Sequence, residues 1–170
     1  EVEGIMNAVI EKGFDVDGSS HLDEAAHDTS ARTSTRGTHA VDDSGVQPRR
    51  VLVAEDEHLV AISLMDHLKT LGYELIGPAM NGVQAIDLAK QHKPDLVMLD
   101  IRMPDMDGLS AARVLFCQMS IPVIIVSAFS EPDYVRTGAE IGVFGYLLKP
   151  VTLDDIRVHI PIAWSRYRSH

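Results

Sequence analysis

The chain has 170 residues, a formal net charge of −10 and 45% hydrophobic residues. This length suits one globular domain with an appendage, since domains commonly contain about 100–200 residues. No apolar run approaches the roughly 18–20 residues that cross a bilayer, which excludes a transmembrane protein. The acidic balance offers no basic surface of the kind that binds nucleic acid, so we expect no direct DNA binding.

The single cysteine, Cys117, bears on the cellular compartment. It cannot form an internal disulfide, which fits a reducing environment, and the sequence shows no basic segment followed by an apolar one as in a secretory signal. We therefore expect a cytoplasmic protein. Because Cys117 lies within an apolar helical pattern, we expect it to be a small buried core residue.

Residues 1–48 differ in composition from the rest of the chain, with ten acidic and three basic residues and a net charge of −7. Residues 1–14 carry apolar side chains at helical spacing, which predicts a short amphipathic helix. Such a helix would dock on the following domain, on a second copy or on another domain, or else be a frayed end. Residues 15–48 are polar and acidic without an apolar period, which is typical of a disordered linker.

Residues 49–168 show short β-branched runs that alternate with amphipathic segments, as expected for one domain. Five strands are predicted, at residues 51–55, 73–79, 95–100, 122–128 and 143–149. Five helices are predicted, at residues 57–71, 81–92, 107–118, 130–141 and 152–167. Because strands separated by helices pair in parallel, the fold class is α/β, a doubly wound five-stranded parallel sheet flanked by five helices. Ligands of such sheets bind at the carboxyl ends of the strands.

Polar residues stand at the carboxyl ends of four predicted strands. Glu55 and Asp56 follow the first strand, Asp100 follows the third, Ser127 ends the fourth and Lys149 follows the fifth. Parallel strands bring these ends to one edge of the sheet. The sequence therefore predicts a site with three carboxylates, a hydroxyl and an ammonium group.

Three crowded carboxylates repel one another unless a cation lies among them, and hard oxygen ligands suit Mg²⁺. Mg²⁺ also binds phosphate oxygens, so the site could hold a phosphoryl group whose charge is shared with Lys149. Asp100 lies on the central strand and is flanked by Glu55 and Asp56, which would be metal ligands. This position makes Asp100 the natural nucleophile.

Four segments, VLVAEDE, MLDIRMPDMDG, VSAFS and GYLLKP, resemble the signature segments of response-regulator receiver domains of two-component systems, in their order and spacing. The likeness covers residues 50–167 and implies a flavodoxin-like strand order, 2-1-3-4-5. It implies a phosphoacceptor regulatory domain and not an enzyme. Asp100 would accept a phosphoryl group from a histidine kinase or a phosphotransfer protein. Glu55, Asp56 and Asp100 would bind Mg²⁺ together with the backbone carbonyl of Arg102.

The same resemblance implies how a signal leaves the site. Ser127 would hydrogen-bond the phosphoryl group, and Lys149 would pair with it after a cis Lys149–Pro150 peptide bond. Tyr146 falls at the position of the family's switching aromatic residue and would turn inward when Ser127 moves. The face of residues 130–149 would then signal to a downstream protein and could also form a homodimer.

Two bulky side chains, Arg102 and Phe129, lie two residues after Asp100 and Ser127, at positions that resemble the family's controls on water access. We hypothesise that they slow hydrolysis of the acyl phosphate.

The last predicted helix contains Pro161, so we expect a kink or break near His159. The segments VLVAEDEHLVAISLMDHL, VSAFS and IAWSRYR are similar to receivers of the antiterminator (ANTAR) class, whose output is an RNA-binding helical bundle. The chain could thus be a stand-alone switch, or the receiver of a longer RNA-binding regulator or hybrid kinase; RNA binding would need such an output domain. A Mg²⁺-dependent aspartyl phosphohydrolase is a third reading, disfavoured because Arg102 stands where that chemistry needs an acid.

Overall fold

A computed structural model describes residues 47–128 and 131–170. The helix predicted in residues 1–14, nearly all of the predicted linker and Phe129 lie outside the described residues. Within these ranges, five strands alternate with five helices. The strands are β1 (Arg50–Ala54), β2 (Glu74–Ala79), β3 (Leu96–Leu99), β4 (Val123–Ser127) and β5 (Gly145–Leu148). The helices are α1 (His58–Thr70), α2 (Gly82–His92), α3 (Gly108–Cys117), α4 (Pro132–Ile141) and α5 (Leu153–Arg168).

The five strands form one parallel sheet in the order β2-β1-β3-β4-β5. Leu99 pairs with both Ala54 of β1 and Ile125 of β4, so the end of β3 lies at the middle of the sheet. The predicted α/β class and strand order are therefore confirmed. Asp100, which directly follows Leu99, is placed at the centre of the carboxyl edge.

Two buried layers hold the sheet between its helices, because successive strand side chains point to opposite faces. Leu52, Val97 and Ile125 pack with α2 and α3 on one face. Val51 and Met98 pack with α1 and α5 on the other face. β3 and β4 are buried along their whole length, which explains why their sequences are continuous apolar runs.

Side-chain caps fix where three helices begin, and all three helices start just beyond the carboxyl edge of the sheet. Asn81 accepts a hydrogen bond from Gln84 N at the start of α2, and Asp107 accepts one from Ser110 N at the start of α3. Thr152 caps α5 in a reciprocal capping box with Asp155. These caps satisfy backbone donors that would otherwise lack partners.

The break expected in the last helix and the buried position expected for Cys117 are both wrong. Helix α5 runs without a break from Leu153 to Arg168 and contains Pro161. Pro161 removes the hydrogen bond to the carbonyl of Arg157, but Arg157 is exposed, so water can replace the missing donor. Cys117 is exposed at the end of α3 and is not part of the core. Within the described residues, no helix combines the length and apolar character that a membrane span requires.

Candidate functional site

The carboxyl edge of the sheet brings together Glu55, Asp56, Asp100, Ser127 and Lys149, as the sequence predicts. Backbone hydrogen bonds fix three of these residues to neighbouring strands. Glu55 N donates to Ala79 O at 2.9 Å, Asp100 N donates to Ala54 O at 3.0 Å, and Lys149 N donates to Ser127 O at 2.9 Å. The site therefore inherits the rigidity of the sheet, which suits the precise placement of reacting groups.

The ammonium group of Lys149 lies between two buried carboxylates. Its Nζ atom is 2.5 Å from Glu55 Oε2 and 3.2 Å from Asp100 Oδ2. The Glu55 side chain is 1% exposed and that of Asp100 is 6% exposed, so both charges are withdrawn from water. One ammonium group faces two carboxylates, and the local charge balance is negative.

Burial and charge move the pKa values of all three groups. Burial raises the pKa of Glu55 and of Asp100, although Lys149 acts in the opposite direction on both. Burial lowers the pKa of Lys149, but the hydrogen bond and ion pairs with the two acids outweigh it, so this pKa is raised. The ammonium form is thus held firmly, while the carboxylates are ionised at a cost.

The acids of this edge fit a divalent metal. Glu55, Asp56 and Asp100 each offer an oxygen, and these oxygens all lie within 4.8 Å of one another. Two of these acids, Glu55 and Asp100, are also paired with Lys149. A cluster of hard oxygen ligands of this kind is what Mg²⁺ prefers in proteins.

The loop after β3 is closely shaped around Asp100. The Asp100 carboxylate accepts hydrogen bonds from the backbone N–H groups of Ile101 and Arg102. Gly108 N donates to Ile101 O at 2.7 Å, and a Cβ atom on Gly108 would lie 1.9 Å from Asp100 O. Only glycine allows this close approach. The end of the loop at Gly108 therefore packs against the backbone of Asp100 and holds the aspartate in place.

Ser127 and Tyr146 are linked through their side chains. Ser127 is fully buried, and its side chain shares a hydrogen bond with the half-buried Tyr146. Burial raises the pKa of Tyr146, an effect that the hydrogen bond with Ser127 opposes. The Tyr146 ring packs against the core layer that contains α2 and α3.

A cleft of about 570 Å³ adjoins the acids, and Asp56, Arg102 and Tyr134 contribute to its walls. Arg102 Nη2 lies 3.2 Å from Glu131 Oε1, and its guanidinium carbon is 5.8 Å from the centre of the Tyr134 ring. Arg102 was a candidate from the sequence, whereas Glu131 and Tyr134 were not. They lie at the N-cap and in the first turn of α4, and no residue motif marks them.

Comparisons with known proteins agree on one family. A family model described as the response regulator receiver domain matches residues 51–161. The transcriptional regulatory protein PdtaR of Mycobacterium tuberculosis (strain ATCC 25618 / H37Rv), an ANTAR-type regulator, is 42% identical over 121 residues. That match covers 71% of this chain and 59% of PdtaR, so the chain spans less than two thirds of this relative.

Two further likenesses extend over most of the matched protein. Sporulation initiation phosphotransferase F of Bacillus subtilis (strain 168) is 34% identical over 109 residues, which are 64% of this chain and 87% of that protein. The signal receiver domain of a modulated diguanylate cyclase from Desulfovibrio desulfuricans G20 superposes with a TM-score of 0.67 at 30% identity. That superposition covers 72% of this chain and 98% of the other.

Proposed function

We propose that this chain, which belongs to the family of response regulator receiver domains of two-component systems, is a switch operated by phosphorylation of Asp100. The donor would be a histidine kinase or a phosphotransfer protein, the partners of receiver domains in general. The observation that carries the proposal is the position of Lys149, whose ammonium group lies between the buried carboxylates of Glu55 and Asp100. Such a group can neutralise a phosphoryl group attached to either acid.

Asp100 is the acid suited to be the nucleophile. Its carboxylate is central on the edge and is oriented by two backbone N–H groups and by Lys149. In the transfer, a P–O bond forms between an Asp100 oxygen and phosphorus. The P–N bond of a phosphohistidine donor breaks, and the departing imidazole keeps the electron pair and takes up a proton from solvent.

Glu55, Asp56, Asp100 and the backbone carbonyl of Arg102 are the proposed ligands of Mg²⁺. A bound Mg²⁺ would draw negative charge from phosphoryl oxygens and relieve repulsion among the acids. Lys149 would supply a second positive charge, since its ammonium group already pairs with Glu55 and Asp100.

Ser127 and Tyr146 are the proposed switch. A phosphoryl group adds close to two negative charges and three acceptor oxygens, so it would draw the Ser127 hydroxyl away from Tyr146. Tyr146 lies within the face of residues 130–149, which we propose as the surface that contacts a downstream protein or forms a homodimer. Arg102 and Phe129 are proposed to limit the access of water to the acyl phosphate.

The likeness to PdtaR favours a particular setting for this switch. PdtaR is an ANTAR-type regulator, and this chain covers 59% of it. As an alternative to a stand-alone cytoplasmic switch, the chain would then be the receiver of a longer regulator that acts on RNA through a separate output domain.

The direct test is to incubate the chain with acetyl phosphate and Mg²⁺ and to measure its intact mass. We expect an adduct of about 80 Da in the wild type and in Asp133→Asn, an exposed acid on α4, but none in Asp100→Asn. An adduct of the same yield in Asp100→Asn would refute the assignment. Steady turnover of a phosphomonoester by the wild type would support a phosphohydrolase instead.

A further inference from the structure

The side chain of Arg102 reaches from the loop after β3 to the first turn of α4. Its contacts there are the ion pair with Glu131 at 3.2 Å and the approach to the face of Tyr134 at 5.8 Å. We call Arg102, Glu131 and Tyr134 the Arg102 latch. The latch connects the loop residue two positions after Asp100, the proposed phosphoacceptor, with the helix that borders the proposed signalling face.

The backbone of Arg102 is anchored at the site itself, because its N–H group donates to the Asp100 carboxylate. Its side chain also contributes to the wall of the cleft that Asp56 adjoins. The guanidinium group therefore extends from a point beside the carboxylate that would carry the phosphoryl group. In the proposed switch, rotation about the bonds of the arginine side chain would carry the guanidinium group from α4 towards that carboxylate.

Glu131 is directed to Arg102 and not to its own helix. It occupies the N-cap position of α4, yet its side chain makes no capping hydrogen bond. Asp107 and Thr152, at the same position of α3 and α5, cap their helices with their side chains, whereas Glu57 at the start of α1 does not. At the start of α4 the Glu131 backbone carbonyl accepts from Tyr134 N, and the Glu131 side chain pairs with Arg102 on a separate loop.

The ion pair of the latch is weak enough to exchange partners. The side chains of Arg102 and Glu131 are 51% and 53% exposed, and exposed ion pairs contribute little. A phosphoryl group offers nearly two negative charges and oxygens that match the planar guanidinium fork. The guanidinium group would therefore prefer the phosphoryl group once it is attached two residues away.

We propose that Glu131 and Tyr134 are positioning residues for Arg102. They hold the Arg102 guanidinium group on α4 until a phosphoryl group on Asp100 binds it. This inference rests on the function proposed above. Phosphorylation would then break the contact between the start of α4 and the loop after β3. The latch links the chemistry at Asp100 to the face of residues 130–149 by a second route beside Ser127 and Tyr146.

The test is the affinity for beryllofluoride, a phosphoryl mimic, in the presence of Mg²⁺. Glu131→Gln removes the ion pair that holds Arg102 on α4, so we expect about two- to fivefold tighter binding. Arg102→Ala keeps the backbone carbonyl but should bind more weakly, and adding Glu131→Gln to it should have no further effect. Asp133→Asn removes an equal charge from the same helix turn, where Asp133 pairs with Arg136, and should leave the affinity unchanged.

The double variant separates the latch from plain electrostatics. Equal tightening by Glu131→Gln with and without Arg102 would mean that Glu131 simply repels the anion, and the latch would be overturned. The same conclusion follows if Asp133→Asn tightens binding as much as Glu131→Gln. Tyr134→Leu should tighten binding slightly, whereas Tyr134→Phe, which keeps the ring, should not.

The NMR resonance of Arg102 Nε gives a readout that a merely structural role would not change. We expect it to shift in free Glu131→Gln, and to reach a common position in both proteins when beryllofluoride binds. Binding without any shift overturns the latch and leaves Asp100 as the acceptor. Failure of the wild type to bind beryllofluoride or to take up a phosphoryl group overturns the proposed function, and the latch with it.

Discussion

Two groups of carboxylates lie at the carboxyl edge of the sheet, the acids of the site and the acids that cap helices. Their pKa values are shifted in opposite directions. Burial raises the pKa of Glu55 and Asp100 in the site. Hydrogen bonds with Thr152 lower the pKa of Asp155 in its capping box. Burial acts to raise the pKa of Asp107, but hydrogen bonds from Ser110 outweigh it, and this pKa is also lowered.

The difference shows what each group contributes to the fold. The capping acids are stabilised as anions by donors whose positions are fixed by the helix. The site acids are buried and share one ammonium group, so their ionised forms are costly in the folded state. Excess negative charge at the site destabilises the metal-free fold and prepares the site to bind a cation and a phosphoryl group.

Removing the ammonium group that the two site acids share should change the unfolding free energy more than any other substitution considered below. Lys149→Met leaves two buried carboxylates without a counter-charge, so we expect the unfolding free energy at pH 7.5 to fall by about 3 kcal/mol. Lys90→Met, at an exposed position of α2, should change it by less than about 0.5 kcal/mol. Urea denaturation measures both values. An equal small change in the two variants would contradict the buried ion-pair account.

Removing one site acid should have the opposite sign. Asp100→Asn relieves the repulsion and leaves Lys149 paired with Glu55, so we expect the unfolding free energy to rise by about 1–2 kcal/mol without metal. Asp133→Asn, an exposed acid, serves as the matched control and should have little effect. Destabilisation by Asp100→Asn would show that the acid contributes to the fold as the capping acids do.

Adding Mg²⁺ should remove part of the difference between the two kinds of carboxylate. Binding to the folded state alone raises the unfolding free energy by about 1.4 kcal/mol at ten times the dissociation constant. We expect this rise in the wild type and a much smaller one in Asp100→Asn, at constant ionic strength. Equal stabilisation of the two proteins in thermal unfolding would place the metal elsewhere.

Breaking a cap should cost stability, in contrast to removing a site acid. Thr152→Ala removes the acceptor for Asp155 N and half of the capping box, so we expect a loss of about 1 kcal/mol. Thr70→Ala removes a hydroxyl that donates to Asp66 O at the exposed end of α1, and it should cost less. If both variants lose the same stability in urea, the box is not the cause.

The smallest effect is expected in the pH dependence of the unfolding free energy. Raised pKa values at the site mean that its contribution to stability is fully present below the unfolded-state pKa and is lost as the pH rises through the folded-state pKa. The lowered pKa values of Asp107 and Asp155 act oppositely, and their contribution is lost on acidification. The advantage of Asp100→Asn over the wild type should thus shrink by about 0.5 kcal/mol between pH 7.5 and pH 5. A constant advantage would contradict the raised pKa of Asp100.

Much of the fold follows from local pattern. Apolar runs such as LVML and VIIVS cannot be solvated on either face, so they predict buried parallel strands, and the structure buries them completely. The Thr152 cap is likewise readable from its own short segment. The predicted cis Lys149–Pro150 bond is confirmed, whereas the cis Gly77–Pro78 bond was not anticipated.

The wrong expectations share one physical cause. Whether Cys117 is buried depends on which side of α3 meets the sheet, and periodicity at the end of a helix does not settle this. Pro161 normally interrupts a helix, but Ile160 and Ala163 on either side of it are buried against the sheet. Tertiary packing of these neighbours outweighs the local preference.

The sequence by itself determined that Glu55, Asp56, Asp100, Ser127 and Lys149 meet at one edge, because parallel strands align their carboxyl ends. Only the tertiary structure decided how the side chains pair there. Lys149 is shared by two acids, Ser127 bonds to Tyr146, and Arg102 turns to Glu131. These contacts join residues distant in sequence, and their geometry depends on burial and rotamers that no local pattern encodes.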